Sequence, residues 1–239
     1  MKFYPPVKTR AGDAETDHPH FFAYTDIENM RSYPTVIGDG EEVVATEKIH
    51  GTNCRVGFVR EGDRDTAVMV PLAGSRTVRR RAPPPDQWRH NTYWLPHTND
   101  GVARLFHDLY AAGIASCTLY GEVFGKGVQS YTYGMSGLRF RAFDLSINGR
   151  YVDYEQYRAY CEKYGIEMAP LVYRGPFSLA RIKAVSDGPS LVGGAHGREG
   201  VVVRPVVERE DPAVGRVILK YVGDGYLFGN AAEEDSTDV

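Results

Sequence analysis

The sequence predicts an α+β domain of twisted, mainly antiparallel sheets with flanking helices. Three observations carry that expectation. From Glu42 onward, short runs rich in β-formers follow one another: Val43-Val44-Ala45, Cys54 to Val59 and Ala67 to Val70. Turn residues such as Glu61-Gly62-Asp63 divide them, which is the pattern of an antiparallel meander. Further along, Asn148-Gly149 stands between two strand-like runs, a strong hairpin signal. Helical spacing is confined to a few short stretches.

In chain order, residues 1–40 are rich in Pro, Asp, His and Gly and are expected to be peripheral, with a short helix from Tyr24 to Tyr33. The meander leads into Arg76-Thr77-Val78-Arg79-Arg80-Arg81, the most basic segment, which Pro83-Pro84-Pro85 stiffens into an exposed loop. Residues 101–114 place Val102, Leu105, Phe106, Leu109 and Tyr110 on one helical face, with Asp100 as the expected N-cap. A strand over 118–124 then runs into a Gly-rich loop and carries Glu122, a carboxylate that needs a partner in apolar company. After the hairpin, Asp153 is expected to cap a helix over 154–164 that Gly165 ends, and a further helix follows Pro176. The last two strands are 199–204 and 217–221. With no internal repeat and no second composition regime, one domain over residues 1–230 is the economical reading, followed by an acidic, disordered tail over 231–239.

Composition narrows the function. The chain has 239 residues, 42% hydrophobic and 25% charged, as an ordinary globular domain does. No apolar run approaches the ~20 residues of a membrane helix, and the N-terminus lacks the apolar core of a signal peptide. Cys54, Cys117 and Cys161 are scattered without metal-ligand spacing, so reduced thiols in a cytoplasmic protein are expected. The net charge is −3, but the tail holds Glu233, Glu234, Asp235 and Asp238 with no base. The body is therefore near neutral, and local basic patches for nucleic acid remain open.

Lys48 stands at the end of a strand-like run and is followed at once by Ile49-His50-Gly51-Thr52-Asn53. An amine on a rigid strand end beside a glycine turn can act as a nucleophile once it is unprotonated. The same string read alone also fits a solvated lysine before a turn.

The order of the segments adds to this. Lys48-Ile49-His50-Gly51-Thr52-Asn53, Ser75-Arg76, Tyr120-Gly121-Glu122, Phe143-Asp144, Glu199 to Arg204 and Ile218-Leu219-Lys220 resemble the ordered motifs of covalent nucleotidyltransferases. That superfamily contains ATP-dependent DNA and RNA ligases and mRNA-capping guanylyltransferases. His50 at the third position of the first motif, with Gly125 to Gln129 and Met168 to Gly175, resembles the phage-type RNA ligase 2 family.

The resemblance implies a nucleotidyltransferase (ATP-grasp-like) fold and an ATP-dependent RNA ligase, with a role in RNA repair. The partner it implies is RNA with 5′-phosphate and 3′-hydroxyl ends; no protein or membrane partner is implied. Lys48 would attack the α-phosphorus of ATP to form lysyl-AMP, and Glu199 would hold Mg²⁺ or Mn²⁺. Lys220 would contact the α-phosphate, Arg76 a phosphate, Glu122 a ribose hydroxyl and Phe143 the adenine face. Glu47, Ile49, Asn53 and Arg204 complete the nucleotide set, and Arg79, Arg80 and Arg81 are the expected RNA contact.

Two features depart from the family pattern. Val222 stands where its last motif has a second lysine, and no oligonucleotide-binding barrel or helical domain is expected after residue 230. A nucleotidyltransferase with another acceptor, such as a DNA ligase or an end-adenylylating enzyme, therefore stays open. So does a non-catalytic nucleotide- or RNA-binding descendant.

Overall fold

The computed structural model describes residues 12–63 and 66–228. The strands are β1 (Ala14–Glu15), β2 (Glu28–Asn29), β3 (Glu42–Glu47), β4 (Thr52–Glu61), β5 (Val68–Gly74), β6 (Arg79–Arg80) and β7 (Ser116–Gly125). They continue with β8 (Leu138–Ile147), β9 (Arg150–Tyr151), β10 (Leu171–Pro176), β11 (Gly200–Pro205), β12 (Glu210–Asp211), β13 (Gly215–Arg216) and β14 (Leu219–Val222). The helices α1 (Asp100–Ala111), α2 (Tyr154–Tyr164) and α3 (Leu179–Ser186) accompany them, and residues 224–228 are helical as well.

Among the described residues, two large sheets build the fold, with β12 and β13 forming a separate two-stranded ribbon. The larger has the order β1-β6-β5-β4-β7-β8-β9 and is antiparallel throughout. The smaller has the order β10-β3-β11-β14-β2 and is antiparallel except for β2 beside β14. Alternation sorts their side chains. Cys54, Val56, Phe58, Cys117, Leu119 and Val123 pack on the main core with α1 and α2. The opposite face carries Arg55, Tyr120 and Glu122, so Glu122 points away from the main core because of its parity on β7. The smaller sheet has its own core, in which Val43, Ala45, Val201, Val203 and Leu219 meet Ile182 of α3. The remaining residues of these strands face the larger sheet, where Tyr24, Tyr120 and Ile218 pack together with Phe143 and Val202.

The expected α+β class and most of its elements are present, with local corrections. Asn99, not Asp100, caps α1; its side chain accepts from the backbone N–H groups of Gly101 and Val102. Asp153 precedes α2, but its carboxylate accepts from the Glu208 N–H at 2.7 Å instead of capping its own helix. The hairpin forms as expected, with Asn148 and Gly149 at φ 49° and 77°, the left-handed pair a tight turn requires. Residues 24–33 do not form the expected helix. They run extended through β2, then make a single 3₁₀ turn over Met30–Ser32, because β14 offers an edge to pair with and Tyr24 an aromatic cluster to enter. The predicted tail lies outside the described residues.

Candidate active site

A cavity of about 470 Å³ opens between the two sheets. That is the size of a pocket for a nucleotide-sized ligand. The register of the smaller sheet sets its chemistry. Val202 pairs with Thr46 on one side and Lys220 on the other, which puts Lys220, Val202 and Thr46 in a row across three strands. Lys48 follows Thr46 by two residues, so its side chain emerges on the same face. Its backbone N–H donates to the Gly200 carbonyl at 3.0 Å, fixing the strand end. The turn beyond it runs against β7, where a Cβ on Gly51 would lie 2.4 Å from the Val123 carbonyl oxygen, so only glycine fits.

Lys48 Nζ lies 2.6 Å from Glu199 Oε1, and His50 Nδ1 lies 3.3 Å from Glu199 Oε2. His50 is in turn held by its neighbours: its N–H donates to the Tyr133 hydroxyl at 2.7 Å, and Nε2 meets Ser130 Oγ at 3.3 Å. Lys48, Lys220, Arg76 and Arg204 all line the cavity. Three of these cations are already matched. Lys48 pairs with Glu199, Arg76 with Asp26, and Arg204 with Asp144 at 2.8 Å. Lys220 is in no ion pair among the described residues, which leaves it available to an anion.

Glu122 sits beside Asn53 by register, both on the cavity side. Burial pushes its carboxyl up to about 8; the Lys48 charge opposes this, and the nearby Glu199 carboxylate adds to it. Asn53 Oδ1 is buried and has no hydrogen-bond partner among the described residues, as is Arg204 Nη2. Both atoms belong to residues lining the cavity, and such atoms usually find a ligand or water. Phe143 bulges from β8 between the aromatic cluster of Tyr24 and the cavity, where Val202 and Ile218 add apolar surface.

Ile49 lines the cavity as well, packed beside Phe124 and Tyr133. Glu47 also borders it, but both carboxylate oxygens are taken, by the Ser190 hydroxyl at 2.6 Å and the Leu191 N–H at 2.7 Å. Its visible task is to hold the loop that leads to Glu199. Asp144 is fully buried and accepts from Arg204, from Arg216 at 2.6 Å and from the Tyr24 hydroxyl at 2.8 Å. Arg79, Arg80 and Arg81 lie apart, outside the cavity lining and at the sheet edge beside β1. Arg79 and Arg81 pair with Glu15, and Arg80 with Asp13 at 2.7 Å.

Sequence reasoning missed the contribution of residues 24–28, all of which line the cavity. It also missed Tyr154 and Ala169. No motif marks them, since their place comes from β2 pairing and from the path of the chain after α2. Among the described residues, no three His, Cys, Asp or Glu side chains converge to hold a metal ion by themselves. No helix there is long and apolar enough to cross a membrane.

Comparison with known proteins adds two findings. The RNA ligase family model matches residues 41–222. The fold is similar to solved structures of an RNA ligase from Naegleria gruberi. A point mutant with ATP and manganese superposes with a TM-score of 0.70 at 19% identity, covering 97% of this chain and 65% of that one. The same ligase with pyrophosphate gives 0.70 at 20% identity, again over 97% and 65%. Another point mutant, with AMP and manganese, gives 0.69 at 19%, over 96% and 64%. The chain therefore spans just under two thirds of the length of these structures.

Proposed function

The chain belongs to the RNA ligase family, and on that premise we propose that it is an ATP-dependent RNA ligase working through a lysyl-AMP intermediate at Lys48. The observation that carries the reading is Lys48 Nζ in the cavity wall, 2.6 Å from Glu199 and on one sheet face with an unpaired Lys220. The finer likeness to the phage-type RNA ligase 2 family rests on His50 at the third position of the first motif.

The chemistry follows from these positions. The Lys48 amine must lose its proton before it can attack. It then forms an N–P bond to the α-phosphorus of ATP as the bond to pyrophosphate breaks. Lys220, which is in no ion pair among the described residues, would meet the α-phosphate charge, and Arg76 would hold further phosphate. Phe143 offers a face for adenine, and Glu122 and Asn53 offer groups for ribose or base polar atoms. AMP would pass next to an RNA 5′-phosphate, and attack by a 3′-hydroxyl would release it and seal the strand.

Glu199 suits Mg²⁺ or Mn²⁺, since such ions take one or two carboxylates and leave other positions to water and substrate phosphates. When bound, the ion would screen phosphate charge and compete with the Lys48 ammonium for Glu199. Three buried, free cysteines fit a cytoplasmic protein, and repair of broken RNA is the role that fits the chemistry.

Incubation with ATP labelled at the α-phosphate and a divalent metal is expected to label the protein covalently and to leave Lys48→Ala unlabelled. Label surviving that substitution overturns the mechanism. Val222, on the same face of β14 as Lys220 and two residues on, favours one rival, a nucleotide binder without chemistry. That rival would bind ATP and release no pyrophosphate.

A further inference from the structure

A second depression, of about 770 Å³, lies outside the nucleotide cavity and is basic. One bank is the short helical segment over 85–90, which contributes Arg89 and His90. The other is the β7–β8 connection and the start of β8, which contribute Lys126 and Arg139. All four side chains are exposed. Among the described residues, Arg89, Lys126 and Arg139 take part in no ion pair. The groove holds one acid, Glu167, and Arg141 stands 3.4 Å from it. Unpaired cations gathered in a chain of net charge −3 call for an external anion.

One chain connection links the groove to the turn that follows Lys48. Lys126 and Gly127 line the groove. Two residues later Gln129 Nε2 donates to the Gly51 carbonyl at 3.4 Å, and Ser130 meets His50. Two residues span at most ~7 Å of chain. One connection thus has its first arm in the groove and its tip on the turn that follows Lys48.

The arginines of 79–81 contrast with this. They were the expected nucleic-acid contact from sequence, yet each faces an acid of β1 or its approach. A cation already matched by a carboxylate gains little from releasing counterions of a polyanion, whereas an unmatched one gains in full.

We propose that the groove of Arg89, His90, Lys126 and Arg139 binds the phosphodiester backbone of the RNA strand whose end is presented to Lys48. This rests on the ligase reading, because RNA is preferred over an acidic protein only by the continuity with that site. Recognition would be of phosphate charge and not of sequence.

The test uses the full chain and fluorescence anisotropy with labelled, 5′-phosphorylated oligoribonucleotides over a range of salt. The double variant Lys126→Ala/Arg139→Ala is expected to bind about tenfold more weakly at low salt, with a log–log salt slope shallower by about 1.4. Arg80→Ala/Arg81→Ala is expected to bind as wild type does. Both variants should keep their melting temperature and form lysyl-AMP from ATP and a divalent metal without RNA. Unchanged affinity and slope in the first variant, or an equal loss in the second, would overturn the proposal. So would displacement of the RNA by polyglutamate at equal charge, which points to an acidic protein instead. Wild-type protein that makes no lysyl-AMP would sink the ligase reading while leaving the groove measurement intact.

Discussion

Glu122 and Asp144 sit on neighbouring strands of one sheet, both turned toward the second sheet, and their surroundings act on them in opposite senses. At Asp144 burial alone would favour the neutral acid. Arg204, Arg216 and the Tyr24 hydroxyl overcome that and hold the carboxyl below its usual range. At Glu122 no cation pairs directly, and burial pushes the group up to about 8. One carboxylate ties β8 to β11, to Arg216 beyond β13's start and to the N-terminal segment. The other lines the cavity, met by the Gly51 backbone N–H and by no directly paired cation. The difference separates scaffold from site: a charge completed by the protein holds the fold, and a charge left incomplete is available to a ligand.

The sharpest way to break the contrast is to remove the completed charge. Asp144→Ala leaves Arg204 and Arg216 buried without their shared partner, and removing one side of such a network costs about 3–5 kcal/mol. Denaturant unfolding should register that loss. A change under 1 kcal/mol would mean that water or Glu208 substitutes for Asp144, and the scaffold role would fall.

His97 extends the comparison to a group outside the site. Its Nε2 meets the Leu72 carbonyl at 3.0 Å, and its ring stacks on Trp94. Burial lowers it from 6.5 to about 4, with the backbone hydrogen bond opposing. The unfolded chain then binds a proton that the folded chain refuses. This contribution to stability is complete above about pH 6.5 and is lost as pH falls toward 4. Allowing for its partial exposure, the loss is about 2–3 kcal/mol. His97→Gln should flatten this limb of the stability–pH curve, and an unchanged limb would refute the assignment.

Glu122 behaves with the reverse sign. Its raised value means the folded state keeps a proton that the unfolded chain gives up above about 4.5. Stability should therefore fall as pH rises from 4.5 toward 8. Glu122→Gln removes the term and should be the more stable protein at pH 9 by about 2 kcal/mol, after discounting for exposure. At the same pH it should bind ATP more weakly, by about tenfold, since a charged hydrogen-bond acceptor is lost. A variant neither more stable nor weaker in binding would make Glu122 a second scaffold group.

How far this site was legible in the sequence depends on the range of the interactions involved. Lys48, Glu199 and Lys220 were readable because each is a charge at a fixed place in a β-rich string, and their order along the chain carried the resemblance. The row Lys220, Val202, Thr46 was not readable, because register is set by pairing between strands far apart in sequence. The same holds for Asp144, whose partners lie 60, 72 and 120 residues away. Residues 24–28 read as the start of a short helix, because an extended segment without alternation shows its true state only when an edge strand receives it. Glu47 was read from its neighbour Lys48, while its actual partners, Ser190 and Leu191, come from a loop with no motif.

The arginine run marks the limit of the comparison, since its charges are completed by partners while Arg79 and Arg80 are only half-buried and Arg81 is exposed. From sequence, Arg79-Arg80-Arg81 reads as free positive charge, because Asp13 and Glu15 stand more than sixty residues earlier. In the fold, β1 lies beside β6 and brings those acids across. Completion alone should then stabilise as it does at Asp144; if burial is also required, the effect should be small. Arg81 has an exposed guanidinium 3.4 Å from Glu15, and such pairs contribute roughly 0–1 kcal/mol because water already solvates the cation. Arg81→Ala is expected to shift unfolding by no more than about 0.5 kcal/mol, and by less in high salt. A loss approaching that of Asp144→Ala would show that pairing, and not burial with pairing, is what separates the fold-holding charges from the rest.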